Sequence, residues 1–300
     1  MQIFHHKLSI KFTQYTFITS VLSTVLILST IIILIIKGFN LSIEFTGGTN
    51  ISISIPNTPI NEFREIIHNQ FEHKIEIVEM NTDELNTIFI LRMKYIDNET
   101  SITDKLKSIY PTMKIISIDS FGPKLGNELM SNAQKAILCA LLLISLYIAI
   151  RFDRYYALGS LAALIHDVTI TVGILSMLNI EIGISIIAAL LTIVGYSLND
   201  TIVIFDRIRE NMSKLLDQNK SAIVNRSLNE TLNRTAITSI TTFLVVFVLF
   251  LFGGAVLKSF ALTLIIGIFI GTYSSIFVAS PVMLYFETKY PIPEYIDEEV

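Results

Sequence analysis

Two acids, Asp167 and Asp200, interrupt stretches of sequence that are otherwise apolar, and Arg234 stands directly before a third such stretch. A charged group inside a membrane-spanning helix is costly, so it normally faces the interior of a helix bundle and serves transport. A carboxyl group in such a place can bind and release a proton, and a nearby guanidinium group biases that exchange. These residue types therefore predict proton transfer within a membrane.

Asp200 belongs to a predicted polar stripe on one helix. The stripe has the spacing i, i+4, i+7 and i+8, which marks a single helix face: Thr192, Tyr196, Asn199 and Asp200. The remaining sides carry apolar residues that we expect to face lipid: Ile193, Val194, Ile202, Val203 and Ile204. An acid on such a stripe favours proton exchange. The alternative is an acid held only by structural hydrogen bonds.

Arg234 opens the next predicted helix, and threonines continue its face at i+4, i+7 and i+8: Thr238, Thr241 and Thr242. The two helices are predicted to run antiparallel. If the second helix extends towards residue 229, Arg234 comes close to the depth of Asp200. An ion pair across the bundle is then predicted. The alternative is an interfacial arginine that only sets orientation.

Asp167 follows His166 near the middle of a third helix, on a face of small and polar residues with Ser160, Ala163 and Thr171. Histidine beside aspartate suggests a proton relay, because neutral imidazole both accepts and donates a proton. Adjacent helical residues point about 100° apart, however, so we do not expect the two to face each other. A structural hydrogen bond from His166 is the alternative. We predict Asp167 as a third member of the proton path.

Enzyme activity is not expected. An aspartyl protease would need two facing aspartates, and Asp167 and Asp200 lack the glycine-flanked context of that class. The HExxH signature of metalloproteases and a Gly-x-Ser-x-Gly elbow do not occur in the sequence. A single Cys139 excludes an intrachain disulfide and a CxxC site. We predict no catalytic residue, no metal site and no cofactor, with the proton as the coupling ion.

The composition indicates that these residues act in a lipid setting. Hydrophobic residues make up 52% of the 300, charged residues only 16%, and the mean hydropathy is +0.61. A soluble domain carries about a quarter charged residues. With a net charge of -4 the chain lacks the excess of basic residues that is typical of nucleic-acid-binding proteins.

Six stretches are long and apolar enough to predict membrane helices. They cover residues 12–36, 136–150, 155–180, 182–205, 235–257 and 259–286. The second is short for a span, so its helix is expected to begin near residue 131, with Lys135 snorkelling to the interface. The first is predicted to be an uncleaved anchor, because its apolar run is too long for a signal peptide and no cleavage site follows.

Lysine and arginine in the short loops predict cytoplasmic N- and C-termini, because this orientation leaves only Lys258 in the outer turns. The predicted organisation has four parts: residues 1–37 (N-terminus and first helix), 38–130 (outer domain), 131–286 (the other five helices) and 287–300 (cytoplasmic tail). Residues 206–233 are predicted to be a cytoplasmic amphipathic loop, with a helix that lies on the membrane surface or docks a partner.

The outer segment changes its apolar period in an orderly way. Strands are predicted at residues 49–55, 74–80, 87–95 and 113–118, and helices at 61–71 and 101–110. Strand, helix, strand, strand, helix, strand is the ferredoxin-like βαββαβ order. The predicted fold class is therefore a membrane α-helical protein of six spans with one small α+β extracytoplasmic domain between the first and second helices.

Several motifs, in order along the chain, resemble those of the SecD/SecF translocase subunits. Residues 41–49 (LSIEFTGGT) resemble the G-x-D-F-x-G-G motif of that family, with Glu44 in place of its usual aspartate. Residues 121–129 (FGPKLGNEL) resemble its G-P-x-x-G-x-x-L motif. The membrane signatures of the SecF type resemble residues 166–168 (HDV), 195–201 (GYSLNDT), 206–210 (DRIRE) and 234–242 (RTAITSITT). The glycines of the two outer motifs are expected to form turns, and a hinge role for them is a hypothesis.

The resemblance implies a function. A single small outer domain is similar to the SecF type, since SecD-type chains carry a larger one. Family members belong to the resistance-nodulation-division superfamily and assist protein export across the bacterial inner membrane with the proton-motive force. The residues that match Asp200 and Arg234 lie in the family's proton path.

The resemblance also implies partners. They are SecD and the SecYEG translocon, with YajC and YidC as further candidates, SecA indirectly, the unfolded polypeptide in transit and membrane lipid. Two other functions remain open: a non-transporting scaffold of the translocon, and an exporter of small molecules or lipids from the same superfamily.

Overall fold

The computed structural model describes residues 9–56, 58–71, 75–82, 86–95, 99–215 and 217–290. The chain divides into two compact units. One comprises Met1–Asn40 and Ala136–Val300, and the other comprises Leu41–Lys135. The predicted tail lies mostly outside the described residues, because these end at Tyr290.

Ten helices occur among the described residues. They are α1 (Thr16–Lys37), α2 (Ile43–Thr46), α3 (Ile60–Gln70), α4 (Glu99–Ile109), α5 (Pro123–Arg151), α6 (Arg154–Met177), α7 (Ile184–Lys214), α8 (Lys220–Phe252), α9 (Gly254–Ser274) and α10 (Ser280–Lys289). A 3₁₀ turn, Phe12–Tyr15, precedes α1, and a π-helical turn, Ser275–Ala279, joins α9 to α10.

The six predicted spans are confirmed as six helices that are long and apolar enough to cross a membrane. Their ranges are Phe12–Lys37, Pro123–Arg151, Arg154–Met177, Ile184–Lys214, Lys220–Phe252 and Leu257–Lys289. The second begins at Pro123, upstream of the expected residue 131. Proline suits the first turn of a helix, where its missing N–H leaves no acceptor unpaired.

The centre of the membrane unit is formed by α6 and α7. In their most apolar windows 56% and 50% of the residues are buried, against 11% in α1 and 6% in α5. Small residues allow the central helices to approach closely, as is usual in membranes. A Cβ atom on Gly159 would lie 2.5 Å from the carbonyl oxygen of Ala279, and one on Gly267 would lie 2.2 Å from the side chain of Ile193.

The structure differs from the prediction of an amphipathic loop at residues 206–233. Nearly all of this segment continues α7 and α8, and the N-cap of α8 is Asn219. Ile208 and Val224 are fully buried, and Met212 packs against the same core. The apolar spacing was correct, but its partner is the neighbouring helix rather than the lipid surface.

The Leu41–Lys135 unit contains a four-stranded antiparallel sheet of β1 (Gly48–Pro56), β2 (Glu76–Thr82), β3 (Asn86–Met93) and β4 (Lys114–Phe121). The strand order is β2-β3-β1-β4, with α3 between β1 and β2 and α4 between β3 and β4. Alternate residues of β1, namely Ile51, Ile53 and Ile55, point into one core. Phe63 of α3 stacks on Phe89 of β3 with ring centroids 4.4 Å apart.

Candidate functional site

Asp200 lies on α7 and is only 3% exposed. Its Oδ2 atom has no hydrogen-bond partner among the described residues. A buried polar atom left without a partner costs about 1–3 kcal/mol, so such an atom calls for an explanation. Two more hydroxyls on neighbouring helices are buried and without a partner in the described structure, those of Thr171 on α6 and Thr235 on α8. The Asp200 carboxyl group thus lies buried with one oxygen that accepts no hydrogen bond from the described residues.

The predicted stripe on α7 is only partly buried. Asp200 is enclosed, but Thr192 and Asn199 are exposed on the surface of this chain. The expected lipid-facing residues include three that are buried in the bundle, Ile193, Val194 and Ile204. That expectation was wrong for these three, because the buried face of α7 is apolar and closely packed against α6, α8 and α9.

Arg234 lies exposed on α8. The threonines that continue its face bond to their own helix. Thr241 and Thr242, for example, donate to the carbonyl oxygen of Thr238 at 3.0 and 2.9 Å. The predicted ion pair between Asp200 and Arg234 is not formed in the described structure.

Asp167 is fully buried, and both of its carboxylate oxygens accept hydrogen bonds. Oδ2 accepts from the hydroxyls of Ser197 on α7 at 2.6 Å and Ser274 on α9 at 2.7 Å. Oδ1 contacts Nδ1 of His166 at 2.9 Å. Three donors from three helices thus converge on one carboxylate, so neither oxygen of Asp167 is left without a partner.

His166 does face Asp167, contrary to the expectation from the helical wheel. The Cα–Cβ bonds of the two residues diverge, but the imidazole Nδ1 atom is close enough to Cβ for a rotamer to turn it towards the carboxylate. Nε2 contacts the hydroxyl of Ser23 on α1 at 3.1 Å. The Ser23 hydroxyl is also 3.0 Å from that of Tyr273.

Four residues of this network were not predicted: Ser23, Ser197, Tyr273 and Ser274. The hydroxyl residues of the otherwise apolar helix α1 were a usable signal for Ser23. The structure buries three of them, namely Thr19, Ser23 and Thr30. Hydroxyls and glycines mark helix contacts in membranes. Ser274 also directly precedes the π-helical turn, and such turns are frequent at functional sites.

The two glycine motifs of the outer unit contact each other. Gly47 has a φ of 74° and Gly48 a φ of 154°, which side chains rarely adopt. A Cβ atom on Gly126 would lie 2.7 Å from the carbonyl oxygen of Phe45, and one on Gly47 would lie 3.0 Å from Cα of Pro123. The motifs therefore join the start of β1 to the start of α5.

No group of three or more His, Cys, Asp or Glu that could hold a metal ion occurs in the described part of the chain. The buried acid Asp167 instead accepts hydrogen bonds from side chains of three helices. The fold and the site thus define a polytopic helical membrane protein with buried acids in its central helices.

Family models match most of this chain. The model described as "Protein export membrane protein SecD/SecF, C-terminal" matches residues 101–289, and that of the SecD/SecF GG motif matches residues 32–55. The chain belongs to the SecD/SecF protein-export family, among its SecF members.

Two relatives named SecF match this chain over most of their own length, and one named SecDF is longer. The protein translocase subunit SecF of Calditerrivibrio nitroreducens is 42% identical over 268 residues, which cover 87% of this chain and 88% of the relative. That of Haemophilus influenzae is 38% identical, with coverage of 93% and 87%. The protein translocase subunit SecDF of Thermus thermophilus is 40% identical, over 84% of this chain and 35% of that longer relative.

Solved structures are similar across the same range. The crystal structure of SecDF from Thermus thermophilus, described as a translocon-associated membrane protein, matches with a TM-score of 0.84 and 36% identity, covering 94% of this chain. SecDF in a super-membrane-facing form matches with a TM-score of 0.67 and 37% identity. The chain spans 39% and 38% of the length of these two SecDF chains.

Proposed function

We propose that this chain is the SecF-type subunit of a SecDF complex that assists Sec-dependent protein export across the bacterial inner membrane. The proton-motive force is the energy source, and Asp200 carries the proton. The observation that supports this most directly is the buried Asp200 carboxyl group, whose Oδ2 lacks a partner among the described residues. Acids retained inside a membrane at such a cost typically lie on ion pathways.

Arg234 is proposed to respond to the charge of Asp200. When the carboxyl group is ionised it attracts the guanidinium, and when it takes up a proton that attraction is lost. The change in attraction alters the packing of α7 against α8. Asp167 is proposed to act beside this pair by fixing α6, α7 and α9 around the path, since its own oxygens are already bonded.

The proposed partner in the membrane is SecD. The Thermus relatives carry the name SecDF and are much longer than this chain. Exposed polar residues on the membrane helices, such as Thr192, Asn199 and Thr241, fit coverage by the helices of a partner rather than by lipid. SecYEG, YajC, YidC, SecA and the exported polypeptide remain proposed partners on the strength of family membership.

The Leu41–Lys135 unit is proposed to be a ferredoxin-like domain outside the membrane, with both chain termini cytoplasmic. Its strand order β2-β3-β1-β4 and intervening helices support the split βαβ topology. We further propose that the chain belongs to the resistance-nodulation-division superfamily, and that it has no enzymatic activity and no cofactor besides the proton.

The test is to replace Asp200 by Asn and Arg234 by Met in cells that depend on this chain. Each variant should abolish the stimulation of export of a slow preprotein, while the chain still inserts and still copurifies with SecD. Asp217→Asn and Arg226→Met are matched controls, because they make the same chemical changes in exposed residues. Wild-type export by Asp200→Asn would refute the proton role and favour a scaffold subunit.

A further inference from the structure

The segment that precedes α1 is bound to α8 by two asparagine side chains. Asn229 contacts Ile10 with both ends of its amide group: Oδ1 accepts from the backbone N–H at 2.9 Å, and Nδ2 donates to the carbonyl oxygen at 2.8 Å. Asn225 binds Thr13 in a similar way, since Oδ1 accepts from the backbone N–H at 2.9 Å and Nδ2 donates to the hydroxyl oxygen at 2.7 Å. We call these four residues the asparagine clasp.

The asparagine clasp is specific because each amide binds two atoms of one residue. Asn225 and Asn229 are spaced i and i+4, so they lie on one face of α8. A carboxamide carries an acceptor and donors side by side, as paired peptide groups do. Thr13 lies in the first turn of its 3₁₀ helix, where a backbone N–H has no acceptor within the helix. Asn225 supplies that acceptor from another part of the chain.

Phe12 fixes the same segment from inside the bundle. Its ring is 7% exposed and belongs to a core that contains residues of α6, α7, α8 and α10. It also meets the ring of Phe277, in the π-helical turn, edge-on with centroids 6.0 Å apart. The rest of α1 is largely unenclosed, since only 11% of its most apolar window is buried. The start of α1 is therefore its best-anchored part.

The asparagines are not needed to prevent an unpaired backbone group at Ile10. This residue is 37% exposed, so water can satisfy its N–H and carbonyl groups. What the two amides add is a fixed distance between α8 and the start of α1. Such a link passes on the position of one helix to the other, because both are continuous helices.

The two linked helices lead to different parts of the chain. Arg234 lies ~7.5 Å further along α8 than Asn229, at 1.5 Å per residue. In the other direction α1 ends at Lys37, and the outer unit begins at Leu41. The asparagine clasp thus joins the helix of the arginine to the helix that precedes the outer unit.

We propose that Asn225 and Asn229 are positioning residues that couple α8 to α1, an inference that rests on the proposed function. When the charge of Asp200 changes and α8 shifts against α7, the asparagine clasp moves the start of α1 with it. The displacement then reaches the outer unit along α1. The asparagines touch neither the proton nor the exported polypeptide, and they act only through the helices that they join.

Distances between spin labels test this coupling in the full-length chain, in lipid nanodiscs with its SecD-type partner. Cys139 is replaced by Ser. One preparation is labelled at Gln14 before α1 and another at Ala222 of α8, each with a reference label at Leu178 after α6, and all three sites are exposed. Asp200→Asn represents the protonated acid. With the asparagines intact, this change should shift both distances by about 1–2 Å, as is usual for helix displacements.

Asn225→Ala combined with Asn229→Ala should abolish the shift at Gln14 and keep the shift at Ala222. A role in stability alone would leave both shifts in place. An unchanged shift at Gln14 without the asparagines, or a shift at Ala222 alone with them, would overturn the coupling but not the proton role. No shift at Ala222 in either background would refute the proposed charge response of α8, and the coupling with it.

Export in cells gives a second readout, which stays valid if the double variant misfolds. Asn229→Asp keeps the size of the side chain, but its carboxylate cannot donate to the carbonyl oxygen of Ile10. It should lower the stimulation of export at least about twofold at unchanged insertion. Asn132→Asp is the matched control, because Asn132 is exposed on α5. Wild-type export by Asn229→Asp, or an equal loss in the control, would contradict the proposal.

Discussion

Asp167 and Asp200 are both buried acids in the central helices, yet their surroundings are opposite. Asp167 accepts from Ser197, Ser274 and His166, which lie on three helices. Asp200 keeps one oxygen without a partner in the described structure. A carboxylate whose acceptor sites are filled holds helices together, because removing it leaves every donor unpaired. A carboxylate with a free oxygen can exchange a proton without dismantling the core.

At the residue scale we therefore predict that Asp167→Ala destabilises the membrane unit. Loss of the carboxylate leaves two buried hydroxyls and one imidazole without their acceptor. The free energy of unfolding in detergent should fall by about 3–5 kcal/mol, as for other broken buried charge networks. Asp167→Asn keeps part of the hydrogen bonding and should cost less. The measurement is reversible denaturation followed by circular dichroism.

Asp217→Ala is the matched control for this prediction, because it removes an exposed aspartate from the turn before α8. It should change the free energy of unfolding by no more than about 0.5 kcal/mol. If Asp167→Ala behaves like this control, the hydrogen bonds around Asp167 do not stabilise the bundle. Asp167 would then be retained for export alone.

At the scale of elements, some glycines allow a helix to approach neighbouring backbone more closely than a larger residue would permit. Gly126 of α5 packs against the backbone of Phe45, so that even a methyl group would lie 2.7 Å from a carbonyl oxygen. A methyl group added to Gly195 of α7 would have no atom of another residue within 4 Å. Both are glycines within helices, but only one is required by packing.

We predict opposite effects of alanine at these two glycines. Gly126→Ala should lower the melting temperature in detergent, because the clash with a backbone atom costs about 1–3 kcal/mol. Gly195→Ala should leave it unchanged or raise it, since alanine favours a helix over glycine by about 0.5–1 kcal/mol. Differential scanning fluorimetry of the two purified variants makes the comparison. A fall of equal size in both would mean that the close contact is not the cause.

At the scale of the molecule, the chain is built from two compact units. The core of the Leu41–Lys135 unit is separate from that of the membrane helices, and it contains residues from all four strands and both longer helices. One sheet face under two helices is enough to bury a core in a small domain. The unit should therefore fold in water without the membrane helices.

We predict that residues 41–135, expressed alone, give a soluble monomer with a cooperative unfolding transition. Ile51→Val should then lower its free energy of unfolding by about 0.5–1.5 kcal/mol, because Ile51 is fully buried in the central strand β1. Lys107→Ala on the exposed face of α4 should have almost no effect. A fragment without a cooperative transition would show that the unit needs the membrane helices in order to fold.

Much of the fold could be predicted because hydrophobic length and period are local properties. The six spans came from apolar stretches, and the strands and helices of the outer unit came from the change of period between residues 49 and 118. The ends of several helices differ from the predicted ends. Helix α5 begins at Pro123, and α7 and α8 continue through residues 206–214 and 220–233. A polar segment looks like a loop in the sequence even when a neighbouring helix buries its apolar side.

The candidate site could be predicted only in part. Asp167 and Asp200 were visible because a charge in an apolar stretch is conspicuous wherever the helix lies, and Arg234 was visible because threonines continue its helix face. Ser23, Tyr273 and Ser274 were not visible, since a hydroxyl in a membrane helix can also bond to its own backbone, as Thr192 does to the carbonyl oxygen of Ala188. The contact from His166 to Asp167 was missed because it depends on a rotamer.

By itself the sequence determined that this protein lies in a membrane, how many of its helices are long and apolar enough to cross it, and which charges interrupt or flank them. Those properties follow from composition and period, which each segment carries alone. Only the tertiary structure decided that Asp167 accepts three hydrogen bonds and that one oxygen of Asp200 has no partner among the described residues. The physical reason is that the partners come from helices far apart in the chain, and their distances are fixed only when the bundle packs.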